Sequence, residues 1–345
     1  MLTKKQILEI REHLERAQNP VFFYDNDPDG LCSFLLLQRY LGRGKGVAIK
    51  SFPEMNTEYS RKARELNADY IFILDKPVVS KDFFEEVKEF NVPVVWIDHH
   101  EVQVEIPEFV FYYNPVVGKK KSSEPVTYLC YKITEKKDDL WLAVVGCISD
   151  RFVPEFYSDF AKNFPELSVK SKDASDIFYK SQIGKIANLF SFALKDRVTN
   201  VVKMVKFLIN VKSPNEVLEE TSLNKEMHSR FKQIYRKYFK LIEKAKSIAS
   251  DDKMLFFQYG GDMSISADLS NELSYLFPNK IIVVIYLTGI KANVSVRGDK
   301  IRSKVLNAIK NLENATGGGH ENAVGCRMRI EDIETFRENL EKEIK

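Results

Sequence analysis

Three carboxylates lie two positions apart in Asp25-Asn26-Asp27-Pro28-Asp29-Gly30, directly after the apolar run Val21-Phe22-Phe23-Tyr24. The run reads as a buried strand, so the acids stand where a strand ends and a helix begins, the usual ligand position of an open α/β sheet. Clustered carboxylates repel one another unless a positive charge lies between them, and a hard divalent cation is the simplest candidate. Alternating residues of an extended strand end point to one side, which predicts that Asp25, Asp27 and Asp29 all face one cation.

More acids follow the same pattern. Asp75 ends Tyr70-Ile71-Phe72-Ile73-Leu74, and Asp98-His99-His100 ends Val94-Val95-Trp96-Ile97. Asp150 follows Leu142–Ile148, a segment that reads as either helix or strand. Each acid alone could cap a turn or a helix, as Asp-Pro-Asp-Gly often does. Four apolar segments each followed by an acid are better explained by convergence. Imidazole mixed with carboxylates suits a borderline ion such as Mn²⁺ better than Mg²⁺, and two ions acting together on a phosphoryl group need this many ligands. The chemistry implied is metal-dependent cleavage of phosphate esters. Near the C-terminus, Gly317-Gly318-Gly319-His320 lets the backbone approach an anion closely and expose its N–H groups, and Arg297 offers a fork for phosphate. The alternative for the glycines is a hinge.

The elements that must position these groups alternate. Strands are predicted over 22–24, 47–52, 71–74 and 94–97, and helices over 31–41, 59–67 and 82–90, the rhythm of βαβ units and a parallel sheet. Residues 173–250 are mostly helical, broken at Ser213-Pro214-Asn215. Strands return at 254–259, 281–287 and 292–297, with helices at 270–276 and 301–312 and a charged helix over the last seventeen or so residues. The expected fold is therefore α/β: a parallel-sheet domain over 1–172, a helical connector over 173–250 and a smaller α/β domain over 251–345.

At 345 residues with 44% hydrophobic and 29% charged content, the chain has the composition of a folded two-domain protein. No apolar run reaches the roughly 20 residues of a membrane span, so no membrane partner is expected. The N-terminal stretch reads as an amphipathic helix with capping-box spacing at Thr3 and Gln6. Cys32, Cys130, Cys147 and Cys326 are widely spaced and read as buried thiols of a reducing compartment; a cytoplasmic location is expected. The net charge of +3 says little about partners, but its distribution says more. Residues 225–246 hold eight Lys/Arg against two acids, with Phe231, Tyr235, Tyr238 and Phe239 interleaved. This is either a solvated basic face with a packing stripe or a surface that tracks phosphates and stacks bases. Lys119-Lys120-Lys121-Ser122-Ser123 is a second basic cluster.

These motifs resemble those of the DHH phosphoesterase superfamily: Asp27-x-Asp29, Asp75, Asp98-His99-His100 and Asp150 in order. Gly317-Gly318-Gly319-His320, with Arg297 and Leu269-Ser270-Asn271-Glu272-Leu273, resembles the DHH-associated C-terminal domain. The Asp-x-Asp-x-Asp-Gly form of the first motif resembles RecJ-type exonucleases, above all the short archaeal RecJ-like nucleases and the Hef-associated group. Two departures stand out: Asp75 is followed by Lys76-Pro77 where many members have small residues, and three glycines stand where many relatives have four.

The resemblance implies two Mn²⁺ ions, with Mg²⁺ or Co²⁺ as substitutes. Asp27 and Asp75 would hold one, with Asp25 as a further ligand or supporting carboxylate; Asp29, Asp75, His99 and Asp150 would hold the other. Asp98 would orient a histidine, His100 would contact the scissile phosphate, and Arg297, Gly317, Gly318, Gly319 and His320 would bind substrate. It implies an exonuclease of single-stranded DNA or RNA, DNA favoured and 3′→5′ polarity, in repair or replication, acting in a cleft between the domains. A helicase or repair-protein partner and a homo-oligomer are compatible with it. Two alternatives are an oligoribonuclease or small-substrate phosphoesterase acting on short oligonucleotides, dinucleotides or phosphoadenosine phosphate, and a replication or repair scaffold without catalysis.

Overall fold

The computed structural model describes residues 1–49, 55–102, 104–117 and 121–344. The chain divides into two compact units, Met1–Phe231 and Lys232–Lys345. In the first unit the elements are α1 (Lys4–Arg16), β1 (Pro20–Asp25), α2 (Pro28–Leu41), β2 (Lys45–Ile49), α3 (Thr57–Glu65), β3 (Tyr70–Leu74), α4 (Lys81–Glu89), β4 (Val94–Ile97) and β5 (Val110–Tyr113). Helices α5 (Val126–Thr134), α6 (Leu140–Ser149), α7 (Tyr157–Asn163), α8 (Ala174–Lys180), α9 (Gln182–Ala193), α10 (Val198–Asn210) and α11 (Pro214–Leu218) follow. Helix α12 (Lys225–Ser247) crosses the division.

The first sheet has the order β2-β1-β3-β4-β5, with every neighbouring pair parallel. Alternation sorts its side chains between two layers. Phe22, Tyr24, Phe72, Leu74, Val95 and Ile97 pack toward α1, α2, α5 and α6. Phe23, Ile71, Ile73, Val94 and Trp96 pack on the opposite face with Ala63, Phe83 and Val87 of α3 and α4. Both faces are therefore dry, which is why the strands read as continuous apolar runs. The order reverses between β1 and β3, so the carboxyl ends of these two strands open the crevice where doubly wound sheets place ligands.

Local chemistry accounts for the element ends. Thr3 and Gln6 form the expected capping box of α1. Asp27 is the N-cap of α2, with Pro28 in its first turn. A Cβ at Gly30 would overlap the Asp25 carbonyl oxygen, so glycine lets the start of α2 close onto the end of β1. The ambiguous segment before Asp150 is helical: α6 is buried over Leu140–Ile148, and Asp150 is its C-cap. The expected strand over 47–52 is seen as β2, and its last three residues lie outside the described residues. The basic cluster at 119–123 also lies partly outside them. Strand β5 and helix α5 are additions to the elements expected from the sequence.

The second unit contains β6 (Met254–Gly260), α13 (Ser266–Leu276), β7 (Ile281–Thr288), β8 (Lys291–Arg297), α14 (Ile301–Ile309), β9 (Thr316–His320), β10 (Ala323–Arg329) and α15 (Ile333–Ile344). Its sheet has the order β6-β7-β8-β10-β9, parallel only between β6 and β7. Its core is built on Val283, Ile285, Val294, Val296, Val305, Phe336 and Leu340. All four cysteines are buried free thiols. Among the described residues, no helix is long and apolar enough to cross a membrane.

Candidate functional site

The register sets the acids abreast. Tyr24 pairs with Leu74 and Leu74 with Ile97, so Asp25, Asp75 and Asp98 are the next residues of three adjacent strands. The Asp75 N–H donates to the Ile97 carbonyl at 3.0 Å and the Asp98 N–H to the Tyr113 carbonyl at 3.1 Å, extending the ladder one step past the strands. Asp75 takes φ +59° and Arg151, just after Asp150, takes φ +57°. Side chains at φ near +60° are uncommon, and aspartate tolerates that region better than most.

Six of the expected side chains converge here. Asp75, His99 and His100 form one group whose ligand atoms lie within 4.8 Å of one another; Asp29, His99 and Asp150 form another. His99 Nε2 is 3.3 Å from Asp75 Oδ1 and 3.8 Å from Asp150 Oδ2. His100 Nδ1 is 2.8 Å from Asp98 Oδ1 and 3.8 Å from Asp75 Oδ1. His99 is the member common to both groups, whereas the resemblance gives the shared position to Asp75.

The first three acids do not act as a strand end with one common face. Strand β1 stops at Asp25, Asp27 caps α2 by accepting from the Gly30 N–H at 2.9 Å, and Asp29 lies in the first turn of α2. Pro28 starts a helix within the motif, so strand alternation ends at Asp25 and does not carry Asp27 and Asp29 to one face. Asp25 turns to Lys76, whose Nζ is 3.0 Å from its Oδ1. Asp29 is held from behind: its oxygens accept from the Val126 N–H at 3.0 Å and the Thr127 N–H at 2.7 Å at the start of α5.

Burial and crowding set the charges. Burial, then the charges of Asp25 and Asp29, push Asp27 up to about 8. Burial, then Asp29 and Asp27, hold Asp75 well above the carboxylate range. Asp150 rises to about 6 through burial, with His99 opposing and Asp29 adding. Burial disfavours the His99 imidazolium, but Asp75 and Asp150 outweigh it and carry its pKa well above the usual value. Asp75 Oδ1 is buried without a hydrogen bond among the described residues. A buried oxygen in that condition, among carboxyls whose charged forms are disfavoured first by burial and then by one another, fits a divalent cation. The mixed carboxylate and imidazole donors fit it as well.

Supporting residues that carry no motif of their own surround the Asp98-His99-His100 turn. Asn114 Nδ2 donates to the His100 carbonyl at 2.8 Å and to the Tyr112 hydroxyl oxygen at 2.7 Å. The aromatic run Val110-Phe111-Tyr112-Tyr113 before Asn114 was the available signal for this edge strand.

The remaining expected residues lie in the second unit. Arg297 is buried; its Nε donates to Asn271 Oδ1 at 2.7 Å and Nη1 to the Val296 carbonyl at 2.9 Å. Gly317, Gly318, Gly319 and His320 do not form a loop: they are most of edge strand β9, exposed throughout. Gly319 has φ +140°, and a Cβ there would overlap the Ala323 carbonyl oxygen. Ala323 pairs with Arg297 on one side and His320 on the other, so all three share a row and a face.

Comparison with known proteins agrees with this geometry. Residues 21–147 match the DHH family N-terminal domain and residues 251–345 match the DHHA1 domain. The chain thus carries a DHH family N-terminal domain followed by a DHHA1 domain. Among solved structures it is similar to RecJ in complex with Mn²⁺ from Thermus thermophilus, with TM-score 0.69 and 17% identity over 98% of this chain and 54% of that one. It thus spans about half the length of that relative. It is also similar to an exonuclease RecJ bound to manganese, with TM-score 0.65 and 16% identity over 98% and 93% of the two chains. A pGpG-specific phosphodiesterase, PggH from Vibrio, matches with TM-score 0.53 and 14% identity over 94% and 99%. No curated protein matches the sequence.

Proposed function

We propose that this protein is a divalent-metal exonuclease that hydrolyses phosphodiester bonds of single-stranded nucleic acid, with DNA favoured and 3′→5′ polarity. The observation that carries the reading is the convergence of Asp29, Asp75, His99, His100 and Asp150 at the switch point between β1 and β3. Asp29, Asp75, His99 and Asp150 would hold the ions, with Asp27 and Asp25 beside them. Mn²⁺ is the expected metal, since imidazole is among the donors. Bound ions would supply a more acidic water and offset charge on the phosphoryl oxygens.

The chain's own residues do the rest. Asp98 accepts from His100 Nδ1–H, which fixes the ring and leaves Nε2 to meet the scissile phosphate. Asn114 anchors the His100 backbone, so the ring is aimed from two directions. Arg297 and His320, in one row of the second sheet, would bind a nucleotide phosphate, with Arg297 held in place by Asn271 and supplying positive charge.

Digestion of end-labelled single-stranded DNA and RNA of graded length in Mn²⁺ tests the reading. Stepwise shortening of long DNA strands from the 3′ end is expected. The likeness to the Vibrio phosphodiesterase along nearly all of both chains favours a second reading, cleavage of di- and short oligonucleotides. Activity confined to substrates shorter than about five nucleotides would select it over the exonuclease, since strands of that size reach at most the shortest site, roughly 4 nucleotides, by which strand-tracking proteins bind.

A further inference from the structure

Lys76 is a buried lysine at the edge of the metal-ligand cluster, its side chain only 3% exposed. Its Nζ stands 3.0 Å from Oδ1 of Asp25, which is itself 15% exposed. The backbone dictates this placement. Asp75 and Asp25 follow paired residues of β3 and β1, and the left-handed turn at Asp75 sets the direction in which the chain leaves the sheet. Trp96 Nε1 then donates to the Lys76 carbonyl at 3.0 Å, pinning the residue from below.

We propose that Lys76 acts as a built-in cation that weakens divalent-ion binding on the Asp25–Asp27 side, so that the site takes two ions with unequal affinity. This rests on the metal reading above. The two groups of convergent ligand atoms contain neither Asp25 nor Asp27. With Oδ1 held by the ammonium, Asp25 offers a divalent ion a carboxylate whose charge is already partly offset. The ammonium also repels any second cation brought close to it, in surroundings where charges are poorly screened. The Asp29, His99 and Asp150 group is built on α2, the turn after β4 and the end of α6, and it draws no oxygen from Asp25. Lys76 is thus a positioning and selectivity residue, not a catalytic one.

Manganese titration of the metal-stripped full chain, followed by calorimetry and by loss of the free-ion electron paramagnetic resonance signal, reads this directly. The wild type should show a tight and a weak class. Lys76→Met keeps the stem and removes the charge, and should tighten the weak class by roughly tenfold or more, as expected for one unit charge removed at short range. Asp150→Asn should weaken the tight class in both backgrounds. Lys76→Gln, whose amide can still donate to Asp25, should tighten the weak class in the same direction and stands in if Lys76→Met fails to fold. Two equal classes in the wild type, or a weak class unmoved by neutralising Lys76, would overturn the inference while leaving the metal reading intact. Absence of any manganese binding would remove both.

Discussion

Thr127 and Asp29 are joined twice: the Thr127 N–H donates to the Asp29 carboxylate at 2.7 Å, and the Thr127 hydroxyl donates to the Asp29 carbonyl oxygen at 2.8 Å. The first turn of α5 therefore holds both the side chain and the backbone of a candidate ligand, with the helix N-terminus favouring its negative charge. Thr127→Val keeps the shape and removes the hydroxyl. It should cost about 1–3 kcal/mol, because the buried Asp29 carbonyl and Ser33 hydroxyl lose a partner. Metal affinity should fall by roughly 10–100-fold, as for other residues that orient ligands. Urea denaturation and a manganese titration measure the two effects separately.

Gly146 offers a second route to the same ligand. A Cβ there would overlap the Thr127 hydroxyl and its Cβ. Gly146→Ala should therefore destabilise by roughly 1–3 kcal/mol, as overpacking does, and should weaken manganese binding without touching a ligand. A variant as stable and as avid as wild type would show that α5 and α6 can part without disturbing Asp29.

Asp75→Asn separates fold from chemistry. In the absence of metal the buried, crowded Asp75 carboxylate is unfavourable, so a neutral amide of the same size should leave the melting temperature unchanged or raise it. Hydrolysis should fall by more than the roughly 100-fold that a supporting residue is worth. Near-normal turnover in Mn²⁺ would remove Asp75 from the ligand set.

The pH dependence follows from the raised carboxyls. Asp27 titrates near 8 and Asp150 near 6 in the fold, against about 4 when unfolded. Between these limits the native state binds more protons than the unfolded one. Metal-free stability should therefore be fully present below about pH 4 as far as these groups are concerned, and decline as pH rises toward 8. Cations replace those protons, so the rise in melting temperature on adding Mn²⁺ should grow from pH 6 to pH 8. A rise that is constant across this range would argue that Asp27 and Asp150 do not lose protons on binding.

Much of this site was legible because parallel strands buried on both faces write themselves as apolar runs, and the acid after each run marks its carboxyl end. The positions of Asp75, Asp98, His99 and His100 follow from that rule. The geometry of Asp25, Asp27 and Asp29 was not legible, because the strand rule applies only until Pro28 and turn chemistry then governs the segment. Residues 317–320 look like a loop in the sequence because glycine carries no strand signal; their pairing with Ala323–Cys326 is supplied by β10, not by their own propensity. Asn114 and Thr127 act through contacts distant in sequence, which no local pattern encodes.

Substrate grip by the second unit is tested at β9. His320→Ala and Arg297→Ala should chiefly raise KM, with a smaller loss of kcat through misplacement of the phosphate. Gly319→Ala should do the same by a different cause, since its φ of +140° and the Ala323 carbonyl leave no room for a methyl group. If all three process single strands with wild-type kinetics, the edge strand does not touch substrate.

Helix α12 poses the remaining choice, between a solvated face and a phosphate track. Its buried side carries Met227, Ile234, Tyr238, Ile242 and Ala245, while Tyr235 and Phe239 are 43% and 53% exposed with their rings stacked. Tyr238 thus packs as a core residue would, but Tyr235 and Phe239 stand outside with Lys232, Arg236 and Lys240, the combination that binds single strands by stacking and charge. Lys237 pairs with Asp262 at 2.7 Å. Reversing Lys232, Arg236 and Lys240 to Glu should weaken binding of long single strands. It should also flatten the salt dependence by roughly 0.7 in log–log slope for each phosphate that the helix no longer neutralises. Cleavage of a dinucleotide, too short to follow the helix, should be almost unchanged. An unaltered salt slope on long strands would assign the basic side of α12 to solvent.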